Sequence, residues 1–331
     1  MAQMKYFYEL TISSSPHIHS KTTTATIMRD VLIALVPALC GSVYFFGLRA
    51  LIMVLLSCAG CVFFEWAYRR LLRLDSTVHD GSALVTGALL AFVCPVTLPY
   101  WCLLIGDFFA IVVVKQLFGG IGRNFMNPAL AARAFLFSWA AYMSSWVVPG
   151  FNLTGAWSTA DAVTAATPLA AMHQGSLEGV NLLSLFLGNV GGSLGETSAL
   201  LLLLGAAYLL IRRVISIRIP AAYLLTVAVL TFLFPRGNDR LTWMAAQLCG
   251  GGLMLGAFFM ATDYVTSPIT KWGQVLFGIG CGVITVVIRY FGSYAEGVSY
   301  AILVMNACVA LLDRVGRPVK FGAPKKEAVS K

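Results

Sequence analysis

GALLAFVCPVTLP (87–99) returns 169 residues later as GAFFMATDYVTSP (256–268), with Gly, Ala, Val, Thr and Pro at the same five of thirteen places. Each copy forms the third of five apolar segments in its half of the chain. The segments are 31–48, 50–67, 82–98, 100–118 and 128–148, then 197–211, 220–234, 243–262, 273–291 and 297–312. Five is odd, so the third and eighth segments run in opposite directions, as in an inverted-topology repeat. Both copies end in a proline-bounded break, Pro95 to Pro99 and Tyr264 to Pro268. Broken spans at a repeat interface line ligand or ion routes; a plain turn between helices gives the same pattern.

Composition fixes the solvent of these segments. Hydrophobic residues make up 59% and charged residues 11%, and the mean hydropathy is +0.82. A soluble domain carries about 25% charged residues. Only helices satisfy their own backbone in a bilayer, and about 20 apolar residues cross it. An outer-membrane barrel would alternate polar and apolar residues instead. The expected fold is an all-α polytopic membrane protein of about ten transmembrane helices in a 5 + 5 inverted repeat. No secretory signal pattern opens the sequence.

The net charge of +9 is distributed by topology and needs no nucleic-acid partner. With the N-terminus in the cytoplasm, eighteen of the 23 lysines and arginines fall in cytoplasmic segments, four outside, and Arg133 within a span. Both termini are therefore expected in the cytoplasm. The divisions are a cytoplasmic segment 1–30, a first five-helix repeat 31–148, an external loop 149–196, a second repeat 197–312 and a basic cytoplasmic tail 313–331.

Chemistry-bearing residues are few. VKQLFGGIGRNFMNPALAARAF (114–135) joins a glycine-rich turn to Asn127-Pro128, a helix cap followed by a first-turn proline. It is a tight turn, or a backbone-rich pocket for a flavin or a partner; it lacks nucleotide-loop spacing. GNVGGSLG (188–195) suits close packing or a re-entrant loop. Acids inside membrane spans are costly and often functional. Asp107 is the deepest, an ion-path residue or a buried pairing partner; Glu65, Asp80, Asp263 and Glu296 sit near span ends. Cys58 and Cys61 form a C-x-x-C within a helix, read as packing residues, and no metal site is expected.

The external loop contains DAVTAAT (161–167) followed by Pro168. Thr167 before a proline is a sound helix N-cap. The stretch also resembles the motif in which a dedicated transferase esterifies FMN to a threonine, here with Ala165 where glycine is usual. The chain resembles the RnfD/NqrB family along nearly its full length, through DGSALVTGALLA (80–91), FGGIGRNFMNPA (118–129), the threonine motif and LLDRVGRPVKFG (311–322). Its short segment before the first span is closer to RnfD than to NqrB.

That resemblance implies a bacterial inner-membrane component of an Rnf-type complex, which couples electron transfer between ferredoxin and NAD to Na⁺ or H⁺ translocation. It implies covalent FMN at Thr167, with Asp161, Thr164 and Ala166 read by the flavin transferase. A second, non-covalent flavin such as riboflavin is a further implication. Partners would be the other subunits, which would also hold any iron–sulfur clusters. The competing readings are the NqrB component of a Na⁺-translocating NADH:quinone reductase and a cofactor-free inverted-repeat channel or transporter.

Overall fold

A computed structural model of the protein describes residues 22–147, 149, 167–175, 181–196, 198–237, 239–292 and 296–315. These residues are mostly helical and contain no β-strand. The helices are α1 (Thr24–Phe46), α2 (Leu48–Leu71), α3 (Ser82–Phe92), α4 (Tyr100–Phe108, continuing as a π-helix over Phe109–Gln116) and α5 (Pro128–Leu136, prolonged to Met143). Two short helices follow, α6 (Pro168–His173) and α7 (Leu182–Leu187). The remainder are α8 (Ala199–Ile211), α9 (Arg218–Leu233), α10 (Arg240–Cys249), α11 (Leu253–Leu255, widening into a π-helix over Gly256–Met260), α12 (Lys271–Phe291) and α13 (Val298–Leu312).

Every apolar segment of the sequence carries a helix, but three depart from a straight span. The third stops at Phe92, because Val93–Pro99 turns. The eighth is split between α10 and Leu253–Met260, which meet at a 62° bend. Gly250, Gly251 and Gly252 form that bend, and Gly251 takes φ +67, where a side chain would be strained. The fifth loosens into a 3₁₀ turn over Phe137–Trp139. Among the described residues, three helices are long and apolar enough to cross a membrane alone, and the bent pair makes four.

The outward faces of the long helices are apolar too. Ile33, Val36, Leu55, Phe63 and Trp66 on α1 and α2 are exposed. A helix hydrophobic all round belongs in a lipid setting rather than a watery one. Polar side chains collect inside the bundle instead.

Packing follows one scheme in each half. In the first, α2 packs on α3 and α4, and α4 on α5; in the second, α9 packs on α10 and α12, and α12 on α13. Across the halves α1 packs on α8 and α5 on α13. Small residues permit the close crossings: a Cβ on Gly87 would lie 2.7 Å from the Ser57 carbonyl, and one on Gly205 would overlap the carbonyl of Ala34.

The glycine-rich strap 188–195 is drawn into the bundle. The Gly195 and Leu194 amides donate to the Phe92 and Cys94 carbonyls (2.9 and 3.1 Å), which the end of α3 leaves without helical partners. Ser42 of α1 donates to the Leu194 carbonyl at 2.5 Å. A Cβ on Gly195 would press on Phe92 at 2.5 Å.

Candidate functional site

Two clefts lie at opposite ends of α1. One is roofed by the strap near Ser42 and Phe45; the other opens beside Ile27, Met28 and Val31.

The first is the Thr167 cleft, enclosing about 20 Å³ and lined by Thr167, Gly191, Gly192, Ser193, Glu196 and Glu296 among others. Thr167 has extended backbone and caps α6, its Oγ1 accepting from the Ala170 amide at 3.2 Å, with Pro168 at the first helical position. The hydroxyl proton is not used by the cap. His173, at the far end of α6, pairs through Nδ1 with the Arg289 carbonyl at 2.7 Å. Arg289 donates to the carbonyls of Gln247 (2.5 Å) and Gly250 (3.0 Å), so it clamps the frayed end of α10.

Beneath the cleft sits a buried ion cluster. Arg133 on α5 donates to Glu196 at 3.1 Å and to Ser299 at 3.0 Å, and its other terminal nitrogen pairs with Glu296. Arg133 and Glu196 are almost wholly buried, while Glu296 reaches the cleft. The planar guanidinium offers several donors in a fixed fork, so one cation ties α5 to the strap and to the start of α13.

The second cleft encloses about 90 Å³. Lys115, Asn124, Asn127 and Asp263 bring polar groups to an otherwise apolar lining. Asn127 caps α5 through Oδ1 and donates to the Met260 carbonyl at 3.3 Å, joining the glycine-rich turn to the end of the broken eighth segment. With its amide turned to satisfy its neighbours, Asn306 accepts from the Asn127 backbone at 3.1 Å and donates to the Thr266 carbonyl at 3.0 Å. Asp263 accepts from the Thr266 hydroxyl at 3.0 Å.

Lys115, near the end of the fourth segment, is buried in the π-helix, 2.8 Å from Glu65 and 2.7 Å from the Ser82 hydroxyl. Gln116 and Thr77 donate to the other Glu65 oxygen. Arg49 and Arg289, counted outside, are likewise buried among backbone carbonyls.

The structure does not unite the residues singled out from the sequence. Asp107 lines neither cleft. It is fully buried between α2 and α4, with Oδ1 2.5 Å from the Ser57 hydroxyl and 3.3 Å from the Cys61 sulfur. Asp161, Thr164 and Ala166 lie outside the described residues. The described cysteines are all free, and no cluster of potential metal ligands occurs among the described residues. Sequence reasoning passed over the Arg133 cluster and the Glu65–Lys115 pair. The available signal was a charge at membrane depth, which marks function or pairing by default.

A helical membrane protein with a polar cleft at each end and buried ion pairs between them is the class these features define. Residues 11–322 match the model of the NQR2, RnfD, RnfE family, and the chain belongs to it. It is 48% identical to the D subunit of the Na(+)-translocating ferredoxin:NAD(+) oxidoreductase complex of Acetobacterium woodii, over 96% of this chain and 98% of that one. It is 40% identical to the D subunit of the proton-translocating ferredoxin:NAD(+) oxidoreductase complex of Clostridium ljungdahlii, with 94% and 96% covered. It is 41% identical to the D subunit of the ion-translocating oxidoreductase complex of Stutzerimonas stutzeri, with 91% and 93% covered.

Proposed function

We propose that this chain is the D subunit of an Rnf-type complex of the bacterial inner membrane, coupling electron transfer between ferredoxin and NAD to Na⁺ or H⁺ translocation. It carries FMN on Thr167 and works with the other subunits and a flavin transferase. Near-complete mutual coverage with D subunits of both sodium- and proton-translocating complexes supports the assignment. The matching helix contacts of the two halves, and the pairing of first with first and fifth with fifth, support a ten-segment inverted repeat. Both termini are cytoplasmic and 149–196 is periplasmic in this arrangement.

The single observation that carries the flavin assignment is the position of Thr167. Its hydroxyl stands at the rim of a cleft, and the cap uses only the oxygen's acceptor capacity. A phosphoester oxygen keeps that capacity, so attachment and cap are compatible. A flavin so tethered supplies one- and two-electron exchange. Thr167 fixes its place, α6 and His173 hold Thr167 against the bent helix, and Arg133 keeps Glu196 and Glu296 ordered at the cleft floor. The second cleft, with Lys115, Asn124, Asn127 and Asp263, offers polar groups to a second, non-covalent flavin such as riboflavin. Asp107 enters as an ion-path residue.

Intact mass of the chain, made beside its transferase, tests the central claim. The wild type should carry one FMN phosphoester; Thr167→Ala should carry none, and Thr167→Ser should carry much less while keeping the cap. Covalent flavin on the alanine variant, or none on the wild type, would remove Thr167 from the reading.

A further inference from the structure

Ser57 Oγ lies 2.9 Å from the Gly87 carbonyl oxygen and 2.5 Å from Asp107 Oδ1. A serine hydroxyl has one proton. A carbonyl oxygen can only accept, so the proton that joins Ser57 to Gly87 must come from Ser57. Ser57 can give that proton to Gly87 or to Asp107, not to both; with the proton on Gly87, the contact with Asp107 needs one from the other side. An ionised carboxylate has none to give; a neutral carboxylic acid has one.

The second half shows the same problem with a neutral solution. Between α9 and α12, the helix pair that corresponds to α2 and α4, Thr285 donates to the Cys281 carbonyl at 2.8 Å and meets the Tyr223 hydroxyl at 2.6 Å. Here the second proton is phenolic. In both halves a hydroxyl stands between a backbone carbonyl and a second buried oxygen.

The surroundings of Asp107 offer no counter-charge. The neighbours that titrate are the thiols of Cys58 and Cys61 on α2 and of Cys94 after α3. The Cys61 thiol is 3.3 Å from Oδ1 and can donate to its lone pair. Lys115, two turns along the same helix, is bound to Glu65 and Ser82. The other oxygen, Oδ2, is buried without a hydrogen-bond partner among the described residues and lies beside Gly60 and Leu104. Sodium takes a shell of oxygens, and this carboxyl faces a thiol, a glycine and a leucine.

We propose that Asp107 is a proton-binding site, loaded in the resting protein as a neutral carboxylic acid that donates to Ser57, and that H⁺ rather than Na⁺ is its ligand. Ser57, Cys61 and Glu65 follow at intervals of four on one stripe of α2, so the site adjoins the Glu65–Lys115 pair at the second cleft. This inference deepens the ion-path reading of Asp107 and is independent of the flavin on Thr167.

Infrared difference spectroscopy on the purified complete complex tests it. The wild type should show a protonated-carboxyl C=O band that shifts in D₂O. Asp107→Asn should abolish it, and Ser57→Ala should move it without removing it, since only the acceptor is lost. Asp107→Asn keeps a neutral donor and should assemble normally. The wild-type band should be the same with and without saturating Na⁺. A band that saturating Na⁺ abolishes, or one that neither substitution alters, would overturn the proposal. Loss of the band with undiminished ion translocation would support the proton site while ending the ion-path reading.

Discussion

Arg133→Met is the most informative perturbation of the buried ion cluster. Arg133 is 1% exposed and is bound to two carboxylates and a serine hydroxyl. Methionine fills much of the side-chain volume but leaves Glu196 and Glu296 facing each other without a cation. Removing one partner of a buried pair costs about 3–5 kcal/mol, because the remaining charge is uncompensated. Glu296 reaches the cleft and can be hydrated, so Glu196, with 4% of its side chain exposed, bears most of that cost. Adding Glu196→Gln to Arg133→Met should therefore recover more than half of the loss. A double-mutant cycle should return a coupling of about 2–3 kcal/mol, the upper part of the range for residues in contact. Unfolding in detergent titrations, read by tryptophan fluorescence on all four proteins, gives the comparison. Strictly additive losses would refute the reasoning, since they would mean that Glu196 does not depend on Arg133 for its counter-charge.

Gly195→Ala places a methyl 2.5 Å from Phe92 Cβ; overpacking of this kind should cost about 1–3 kcal/mol, measured by the same titration, with Gly122→Ala as an uncrowded comparison that tests backbone strain alone. Asp239 caps α10, and the Thr242 hydroxyl, with the Leu241 and Thr242 amides, holds its carboxyl below the usual range. A lowered folded-state value means a stabilising contribution that is present above the unfolded-state pKa and lost as pH falls through the folded one. Exchange protection of the first turn of α10 should therefore drop in acid for the wild type and much less for Asp239→Asn.

The sequence carried some of this on its surface. Ten apolar stretches became helices because hydropathy is a local property, and Asn127-Pro128 and Thr167-Pro168 became helix starts because capping needs only adjacent residues. The Arg133 cluster joins positions 63 and 163 residues apart, a distance no sequence window spans. Lys115 lies inside the fourth segment, but its partner Glu65 is 50 residues earlier, and the π-helix that carries it has no signature in hydropathy. The break of the eighth segment had a visible cause in three consecutive glycines, but hydropathy averaged across them. Asp107 could be placed at depth from the sequence, whereas the hydroxyl that decides its protonation sits 50 residues earlier.

The strap has a consequence for biosynthesis. The carbonyls of Phe92, the last residue of α3, and of Cys94 in the turn after it acquire their partners from Gly195 and Leu194, about a hundred residues later in the chain. At ordinary translation speed that is a delay of roughly 5–20 s. During it the first five helices are already in the insertion machinery, while unpaired carbonyls are poorly tolerated by lipid. The first half therefore cannot mature as a finished unit and wait for the second. Its closure is timed by the arrival of the strap, ahead of α8, so the segment between the halves acts as a latch on the nascent chain as well as a roof over a cleft.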